Sequence, residues 1–436
     1  MSARSHAPGE IPARINPDRL LADLYHLRRF GGRAEDKGVV RPAFSPAYVA
    51  AGKWMADKYR EAGLRAVPDR YGNVFGCDPR HDRAILLGSH GDTQMRGGWL
   101  DGAMGVIFAL EIARAAQDCG TALPFGIDAV CWNEEEARFD HFVGSRAYAG
   151  VLPEGVLDTA VDAGGLSLRA AIAAAGYAGL PERPVPVSRH LAYLEGHIEQ
   201  GPLLDATGGQ LGAVEAIAGA KEFTVTFAGE ANHAGTTPMA LRKDAVLALT
   251  HALAELDRRY RASADDRIVW TFGQIDVTPN AASIVPALAR ASVQFRAPNS
   301  DMLTRFETIL HAVLQEVDGT AGARLQGVRQ NLDYRPTPMD PRLTDIIAAA
   351  AESVAPGRSR RMPSGAGHDA QFLAPLMPTG MIFVPSIGGI SHSFDEDTRD
   401  EDIVAGALAM ARAVDALLGP QNASWLAERS LTGDRA

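Results

Sequence analysis

Apolar and polar residues follow one another in this chain in short blocks that predict buried strands. Four short apolar runs with flanking glycines each end in or lead to polar residues: AILLGSH (84–90), GIDAVCW (126–132), AYLEGHIE (192–199) and MIFVPSI (381–387). Short runs with flanking glycines favour strands that are covered on both faces. The segment that follows the first run, GAMGVIFALEIARAAQ, has helical spacing, and so does the segment at 45–64, which starts with Ser-Pro. The pattern predicts an α/β sheet, whose ligands bind beyond the carboxyl ends of the strands.

A different pattern occupies residues 215–330. KEFTVTFAGE alternates, with Phe223, Val225 and Phe227 on one face. After it come a helical pattern (241–260), the runs IVWTFGQID and ARASVQF, a second helical pattern (301–316) and a last strand near RLQGVRQ. This β-α-β-β-α-β order predicts a four-stranded, ferredoxin-like α+β domain with helices on one face of its sheet. We expect it to be inserted into a domain formed by residues 1–214 and 331–436, because strand-like runs resume after it.

Composition narrows the choice of partners and location. The formal net charge of −10 and the lack of a basic run argue against nucleic acid or an anionic membrane as a partner. No stretch approaches the roughly 18 apolar residues of a membrane span. Cys77, Cys119 and Cys131 are odd in number and lack metal-site spacing, which predicts reduced thiols. The N-terminal segment has no apolar signal core, so we expect a cytoplasmic protein.

Three histidines lie at or just after predicted buried strands. They are His90 in GSHGD, His197 in EGHIEQGP and His392 in GISHSFDED. Because these strand ends meet at one rim of the sheet, the imidazoles can converge, and convergent histidines indicate a metal site. His233 lies in the inserted segment, within ANHAGTTPM, and His368 in SGAGHDA is a fifth, weaker candidate.

Carboxylates are predicted at the same rim. Asp101 follows the first strand, and the run Glu134-Glu135-Glu136 follows the strand that ends at Trp132. Mixed imidazole and carboxylate ligands suit Zn, Mn, Co or Ni better than Ca or Mg. The inventory fits two divalent ions with five ligands, one of them a bridging aspartate, and one carboxylate left as a base. The glycines around Asp101 allow the backbone to bend this carboxylate between two ions.

Seven segments together carry a resemblance to a known family. They are GSHGDT, GGWLDGAMG, NEEEARF, HIEQGPLL, HAGTTPM, SGAGHDA and VPSIGGISHS. They resemble the amidase, hydantoinase/carbamoylase family, which includes N-carbamoyl-L-amino acid hydrolases, allantoate amidohydrolases, ureidoglycolate hydrolases and β-ureidopropionases. The family lies within the clan of di-metal carboxypeptidases and aminoacylases. The resemblance implies a mixed-sheet, di-metal aminopeptidase-like catalytic domain, with the inserted domain acting as a lid and pairing two subunits into a homodimer.

The resemblance also implies a role for each candidate ligand. One ion is bound by His90 and His197, the other by Glu135 and His392; Asp101 bridges them, and Glu134 is the general base. The acidic run is aligned on Arg138 and Phe139, which places Glu136 where the family usually has glycine. A shift of one residue would make Glu136 the ligand instead. The family's bridging aspartate is often followed by a cis peptide bond, so a cis bond between Asp101 and Gly102 is expected.

Substrate contacts follow from the same resemblance. It implies that His233 stabilises the oxyanion, that Arg296 binds the substrate carboxylate, and that Gln200 and Gly365 also contact the substrate. Ser283 stands where the family usually has asparagine, and Gln294 where aspartate is common; we include Ser283 among the substrate-binding residues. The expected substrate is a small N-carbamoyl, ureido or N-acyl amino acid. Its linear C–N bond is hydrolysed, releasing ammonia and CO₂ or a carboxylate.

Two alternatives stay open at this stage. An aminoacylase or dipeptidase of the same clan would share every metal ligand, although such peptidases usually place a carboxylate where His197 stands. A non-catalytic metal-binding scaffold would keep the fold, but it would not need a base beside a full ligand set. Ammonia release from candidate substrates in the presence of added metal separates these possibilities.

Overall fold

The computed structural model describes residues 9–119, 121–265 and 267–432 of the 436-residue chain. The helices in this part of the chain are α1 Pro17–Arg28, α2 Pro46–Glu61, α3 Ala103–Gln117, α4 Val143–Ala149, α5 Val156–Thr159, α6 Leu168–Ala174, α7 Leu203–Thr207, α8 Ala245–Ser263, α9 Ser300–Val317, α10 Pro341–Val354, α11 Ala370–Leu373, α12 Asp400–Leu418 and α13 Pro420–Thr432. The strands are β1 Arg65–Pro68, β2 Val74–Cys77, β3 Ala84–His90, β4 Gly126–Trp132, β5 His190–Ile198, β6 Leu211–Ile217, β7 Gly219–Ala228, β8 Val269–Thr271, β9 Ile275–Thr278, β10 Leu288–Ala297, β11 Arg324–Tyr334, β12 Thr337–Pro338, β13 Ser359–Ser364 and β14 Thr379–Val384.

A mixed sheet has the strand order β1-β2-β4-β3-β5-β14-β6-β12, with β13 paired to β6. Its centre is parallel: β3 pairs with β4 and β5, and β14 pairs with β5. The four apolar runs in the sequence correspond to these four strands, and every residue of each of them is buried. The α/β fold class predicted from the sequence is confirmed.

Helices cover the central strands with apolar side chains. Helix α3 is buried along almost its whole length and packs against β3, β4 and β5. Helix α2 begins where predicted, with the Ser45 side chain accepting a hydrogen bond from the Tyr48 backbone N–H. These contacts hold the carboxyl ends of the parallel strands, where the candidate ligands lie, on a rigid frame.

The chain divides into two compact units. The first comprises the residues up to Glu215, Met339–Met362, and the chain from His368 onward; the second comprises Ala216–Pro338 and Pro363–Gly367. Within the described residues no single helix is long and apolar enough to cross a membrane. Two consecutive helices, Asp400–Leu418 and Pro420–Arg429, are together long and apolar enough by length and composition alone. The chain bends by 76° between them.

The second unit contains a five-stranded antiparallel sheet in the order β11-β7-β10-β8, with β9 also paired to β10. Phe223, Val225 and Phe227 are buried on one face, as their alternation predicts, in one core with residues of α8 and α9. The run IVWTFGQID forms two strands, so the prediction of a four-stranded sheet is wrong by one strand. The pairing is interrupted at Gln274, whose backbone N–H donates to the Ser292 hydroxyl and whose carbonyl accepts from the Ser292 N–H.

Candidate metal centre

A first group of ligand atoms forms where the adjacent strands β3 and β5 end. Nε2 of His90 lies 3.5 Å and Nε2 of His197 lies 3.1 Å from Oδ1 of Asp101. The two Nε2 atoms are 3.5 Å apart, and all three residues are buried. The parallel pairing of β3 with β5 brings the two histidines together, because it aligns the carboxyl ends of the two strands.

A second group shares the same aspartate. Nε2 of His392 lies 3.3 Å from Oδ2 of Asp101 and 3.7 Å from Oε2 of Glu136. The Gln200 side-chain amide donates to Asp101 Oδ2 at 3.0 Å and lies 3.3 Å from His392 Nε2. Asp101 therefore presents one carboxylate oxygen to each group, which is the arrangement expected of a bridging ligand.

The backbone turns sharply after Asp101. Gly102 has φ 64° and ψ −48°, and the Ala103 N–H donates to the Asp101 carbonyl at 2.6 Å just before α3 begins. A Cβ atom at Gly102 would lie 2.4 to 2.5 Å from the His90 ring. This position therefore requires glycine both for its positive φ and for its closeness to the imidazole. The Asp101–Gly102 peptide bond is trans, so the cis bond expected here is not formed; a tight turn around Gly102 bends the chain instead.

The acidic run is arranged differently from its predicted roles. Glu134, expected to be the base, has φ 61°, and its Oε1 accepts from the backbone N–H groups of Phe139 and Asp140. Glu135, expected to be a ligand, has its Oε2 3.8 Å from Nε2 of His90. Glu136, expected to be the spare carboxylate, is the one beside His392 and Asp101. The geometry thus corresponds to a register one residue later than the predicted one.

Asp92 and Gln94, which follow β3 in the chain, hold the acidic run in this register through hydrogen bonds. The Asp92 carboxylate accepts the backbone N–H groups of Glu135 and Glu136, at 3.3 and 3.2 Å. The Gln94 side-chain amide donates to Glu136 Oε2 at 2.7 Å. The carboxylate of Glu136 is therefore held toward His392, while Glu134 is tied to the loop that follows the run.

The hydrogen bonds of the histidines show that the first group suits a cation. Nδ1 of His90 lies 3.1 Å from the Asp92 carbonyl, and Nδ1 of His197 lies 2.9 Å from the Ile198 carbonyl. A carbonyl only accepts, so each Nδ1 carries a proton, and the other ring nitrogen, Nε2, is the atom that faces Asp101. Asp101 Oδ1, between the two Nε2 atoms, has no hydrogen-bond donor. Three acceptor atoms that face one another in this way fit a metal ion.

The charges lead to the same conclusion. Burial raises the pKa of Glu135 well above its ordinary value, and the Glu136 and Asp369 carboxylates raise it further against the opposing effect of His90. Burial likewise raises the pKa of Glu136, to about 7, with Asp101 adding to the shift. Nearby positive charge favours the ionised form of crowded, buried carboxylates, so this set of side chains fits bound cations.

Of the remaining predicted site residues, His233, Ser283, Arg296 and Gly365 belong to the second unit and His368 to the first. His233 and Ser283 lie on neighbouring segments: His233 forms a β-bridge with Ile284, and the Ala234 N–H donates to the Ser283 carbonyl at 2.9 Å. Arg296 is on β10, where its Nη1 donates to the Gly365 carbonyl at 3.0 Å and its Nε to Gln294 Oε1 at 3.1 Å. His368, the weaker candidate, is buried in the first unit, with its ring 4.5 Å from that of His197.

With this geometry described, comparisons with known proteins decide the family. The family model described as peptidase family M20/M25/M40 matches residues 86–416. The chain belongs to peptidase family M20/M25/M40. As a member of M20/M25/M40 it shares the metal dependence of that family.

Relatives within the M20/M25/M40 family define the reaction class. The chain is 34% identical to an N-carbamoyl-L-amino-acid amidohydrolase of Paenarthrobacter aurescens, over 92% of this chain and 98% of the relative. It is also 34% identical to an allantoate amidohydrolase of Escherichia coli (strain K12), over 86% and 92% respectively. The crystal structure of an amidase (hydantoinase/carbamoylase family) from Burkholderia phymatum is 42% identical, with a TM-score of 0.87 and coverage of 93% and 98%. This M20 chain is a metal-dependent amidohydrolase that acts on C–N bonds of linear amides.

Residues outside the predicted set also shape the centre. Asp92, Gln94 and Glu396 bind the ligand residues or the backbone next to them. Asp92 stands two residues after His90 and Glu396 four after His392, so closeness to predicted ligands was the available signal. Gln94 also stands four residues after a predicted ligand, His90, but only the fold brings its amide to Glu136.

Proposed function

We propose that this M20 amidohydrolase hydrolyses the linear ureido bond of an N-carbamoyl or ureido amino acid, releasing ammonia and CO₂. The observation that carries the proposal is the pair of curated relatives matched over nearly their whole length, one named for N-carbamoyl-L-amino acids and the other for allantoate. Both names describe acids with a linear ureido group. The candidate metal centre supplies the ligand types that such a hydrolysis needs.

Two divalent ions, from among Zn, Mn, Co and Ni, are proposed as the cofactor. His90, His197 and Asp101 would hold one, and Asp101, Glu136 and His392 the other, in keeping with the two groups of ligand atoms. When bound, such ions lower the pKa of a coordinated water and polarise the carbonyl under attack. The replacement of Glu135 by Glu136 in this ligand set follows the distances to His392 and Asp101.

Glu135 is the proposed general base. Its carboxylate lies beside His90 without belonging to either ligand group, and it is nearly buried. It takes a proton from the attacking water and returns it to the nitrogen that leaves. A positioned acid or base of this kind contributes about 10² to 10⁴ in rate. Glu134 then has a structural role, because its carboxylate binds the backbone of the following loop.

Arg296 is proposed to bind the substrate carboxylate. Its partners, Gln294 and the Gly365 carbonyl, are both neutral, so they orient the guanidinium without cancelling its charge. The aspartate that is common in the family at the position of Gln294 would instead form an ion pair. His233 is proposed to stabilise the oxyanion, with Gln200, Ser283 and Gly365 as further substrate contacts. Ser283 is shorter than asparagine, which favours a substrate that is bulkier or more polar near its α-carbon.

Ammonia release from a substrate panel tests the proposal. The metal-free chain is reconstituted separately with Mn, Co, Ni and Zn, then assayed with N-carbamoyl-L-amino acids, allantoate and ureidoglycolate. We expect ammonia from at least one ureido acid and only with added metal. N-acetyl amino acids and dipeptides serve as the comparison. Hydrolysis confined to these would identify an aminoacylase or dipeptidase and overturn the ureido assignment.

We further propose a homodimer formed through the second unit and a cytoplasmic location. The outer strand β11 pairs with β7 on one side and is exposed along most of its length, which favours pairing with another copy. Cys77, Cys119 and Cys131 are free and buried, as in proteins of reducing compartments. Light scattering coupled to gel filtration should give twice the chain mass; a monomer at micromolar concentration contradicts the dimer.

A further inference from the structure

Glu396 joins the two loops that carry Asp101 and His392. It is fully buried, and its Oε1 accepts from the backbone N–H groups of Leu100 and Asp101, at 3.2 and 3.1 Å. Its Oε2 accepts from the Ser391 hydroxyl at 3.1 Å, next to His392. One carboxylate therefore touches the chain at both residues that share the second group of ligand atoms.

The residues next to Glu396 in space and in sequence also support its contact with the loop before Asp101. A Cβ atom at Gly98 would lie 1.9 to 2.5 Å from the atoms of the Glu396 carboxyl group, so the loop can approach it only with glycine there. On the outer side, Asp397 accepts from the Trp99 indole at 3.2 Å and pairs with Lys37. Two consecutive acidic residues, Glu396 and Asp397, thus bind the loop that ends at Asp101. The buried one, Glu396, contacts Asp101 itself.

The hydrogen bonds of Glu396 come from the two loops and not from a cationic side chain. Among the ion pairs of the described residues, none joins Glu396 to a lysine, arginine or histidine, whereas its neighbour Asp397 has Lys37. The backbone N–H groups of Leu100 and Asp101 bind one of its oxygens, and the Ser391 hydroxyl binds the other. Its contacts therefore hold the two loops together.

We propose that Glu396 is a positioning residue for the second ion: by binding the backbone at Asp101 and the hydroxyl next to His392, it sets the spacing between these two residues without being a ligand. The inference rests on the proposed ligand assignment. It assigns to Glu396 an effect on one ion more than on the other, because His90 and His197 are fixed by strands β3 and β5 and do not contact it.

Titration of metal-free protein with Mn²⁺ tests the proposal, with stoichiometry and dissociation constants measured by calorimetry. We expect two ions in the wild type. In Glu396→Ala the first ion should bind as before, while affinity for the second falls by about 10- to 100-fold, the usual effect of losing a residue that orients metal ligands. Glu396→Gln keeps an oxygen acceptor for the two N–H groups but puts an amide NH2 in place of the acceptor for the Ser391 hydroxyl, so its affinity for the second ion should lie between those of Glu396→Ala and the wild type.

Asp415→Ala is the matched control. Asp415 is buried and also accepts two backbone N–H groups, from Gly9 and Ile11, but it lies on α12 and is not part of the metal centre. This variant should lower the melting temperature of the metal-free protein and leave both dissociation constants unchanged. Loss of the second ion in Asp415→Ala as well would show that general destabilisation explains the effect, and would overturn the proposal.

The outcomes separate this inference from the proposed function. Wild-type affinity for both ions in Glu396→Ala overturns the role of Glu396 while leaving the metal centre intact. If Glu396→Ala does not fold, Glu396→Gln decides, and an unchanged second dissociation constant in that variant overturns the proposal. A wild type that binds fewer than two ions at saturation overturns both the ligand assignment and this inference.

Discussion

The side-chain amide of Gln94 donates a hydrogen bond of 2.7 Å to Oε2 of Glu136. This contact orients the third acidic residue of the run toward His392 and leaves the second beside His90. It links the loop after β3 to the loop after β4, and so the register of the acidic run depends on tertiary contacts. The register in turn determines which glutamate is the base.

Three single substitutions test which role each glutamate of the acidic run has. Glu135→Gln should keep both ions and lower kcat by about 10² to 10⁴, because it removes the positioned base. Glu136→Gln should weaken binding of the ion proposed to lie with His392. Glu134→Gln should retain both ions and measurable turnover. Metal analysis and steady-state kinetics on the three variants check this; a kcat loss confined to Glu134→Gln would restore the register predicted from the sequence.

Replacing Gly102 by alanine should disrupt the metal centre. The new Cβ would lie 2.4 to 2.5 Å from the His90 ring, so His90 and Asp101 could no longer keep their present positions. Gly176→Ala is the control for backbone strain alone: Gly176 has φ +81°, and a Cβ added there would meet no atom within 4 Å. It should cost about 1 kcal/mol of unfolding free energy and leave metal binding unchanged. Equal metal affinity in Gly102→Ala and wild type would contradict the clash.

Arg296→Ala should weaken catalysis on substrates that carry a carboxylate. A charge-assisted hydrogen bond contributes about 1.5 to 3 kcal/mol, so kcat/KM should fall by roughly 10- to 150-fold while metal content stays the same. Arg290→Ala, on the same strand and exposed, is the matched control and should leave kcat/KM unchanged. Equal activity of wild type on an acid and on its carboxamide analogue would show that Arg296 does not bind a carboxylate.

A largely buried ion pair between β4 and the start of β5 should contribute to the stability of the first unit at neutral pH. Asp128 bonds to Arg189 at 2.6 Å and to His190 at 3.0 Å. Burial alone would raise the pKa of Asp128, but His190 and Arg189 hold it below its usual value. Because the folded-state pKa is lowered, the carboxylate contributes stability above about pH 4 that is lost as the pH falls through the folded value.

Asp128→Asn should therefore lower the unfolding free energy by about 3 kcal/mol at pH 7, since the largely buried side chain of Arg189 loses its charged partner. The difference from wild type should shrink below pH 4. Urea denaturation at several pH values measures both effects. Asp158→Asn removes an exposed pair with Arg169 and should change stability little, because water screens both charges. A comparable loss in the two variants would refute the role of burial.

The sequence predicts the central strands well and the acidic run poorly, for a physical reason. Strands β3 and β4 are continuous apolar runs that end at polar residues, so their bounds, 84–90 and 126–132, can be read directly. The direction of each glutamate after β4 depends on positive φ at Glu134 and Ala137 and on bonds from Asp92 and Gln94. None of these features produces a periodic pattern of apolar residues in the sequence.

The second unit shows the same division. The alternation in β7 is visible in the sequence because one face is covered by α8 and α9. The interruption between β8 and β9 depends on one hydroxyl, that of Ser292 on the neighbouring strand. A contact between segments that are distant in the chain cannot be inferred from local hydropathy.

The two groups of ligand atoms lie on different kinds of backbone, one on strands and the other on loops. His90 and His197 stand on paired parallel strands, whereas Glu136 and His392 are on loops, and His392 itself has φ 52° and a half-exposed side chain. A strand-borne position resists deformation, while a loop-borne position can adjust to ions of different radius and is open to solvent. On the proposed ligand assignment, the ion at His90 and His197 would therefore sit in a rigid frame, whereas the ion at Glu136 and His392 would exchange with solvent more readily.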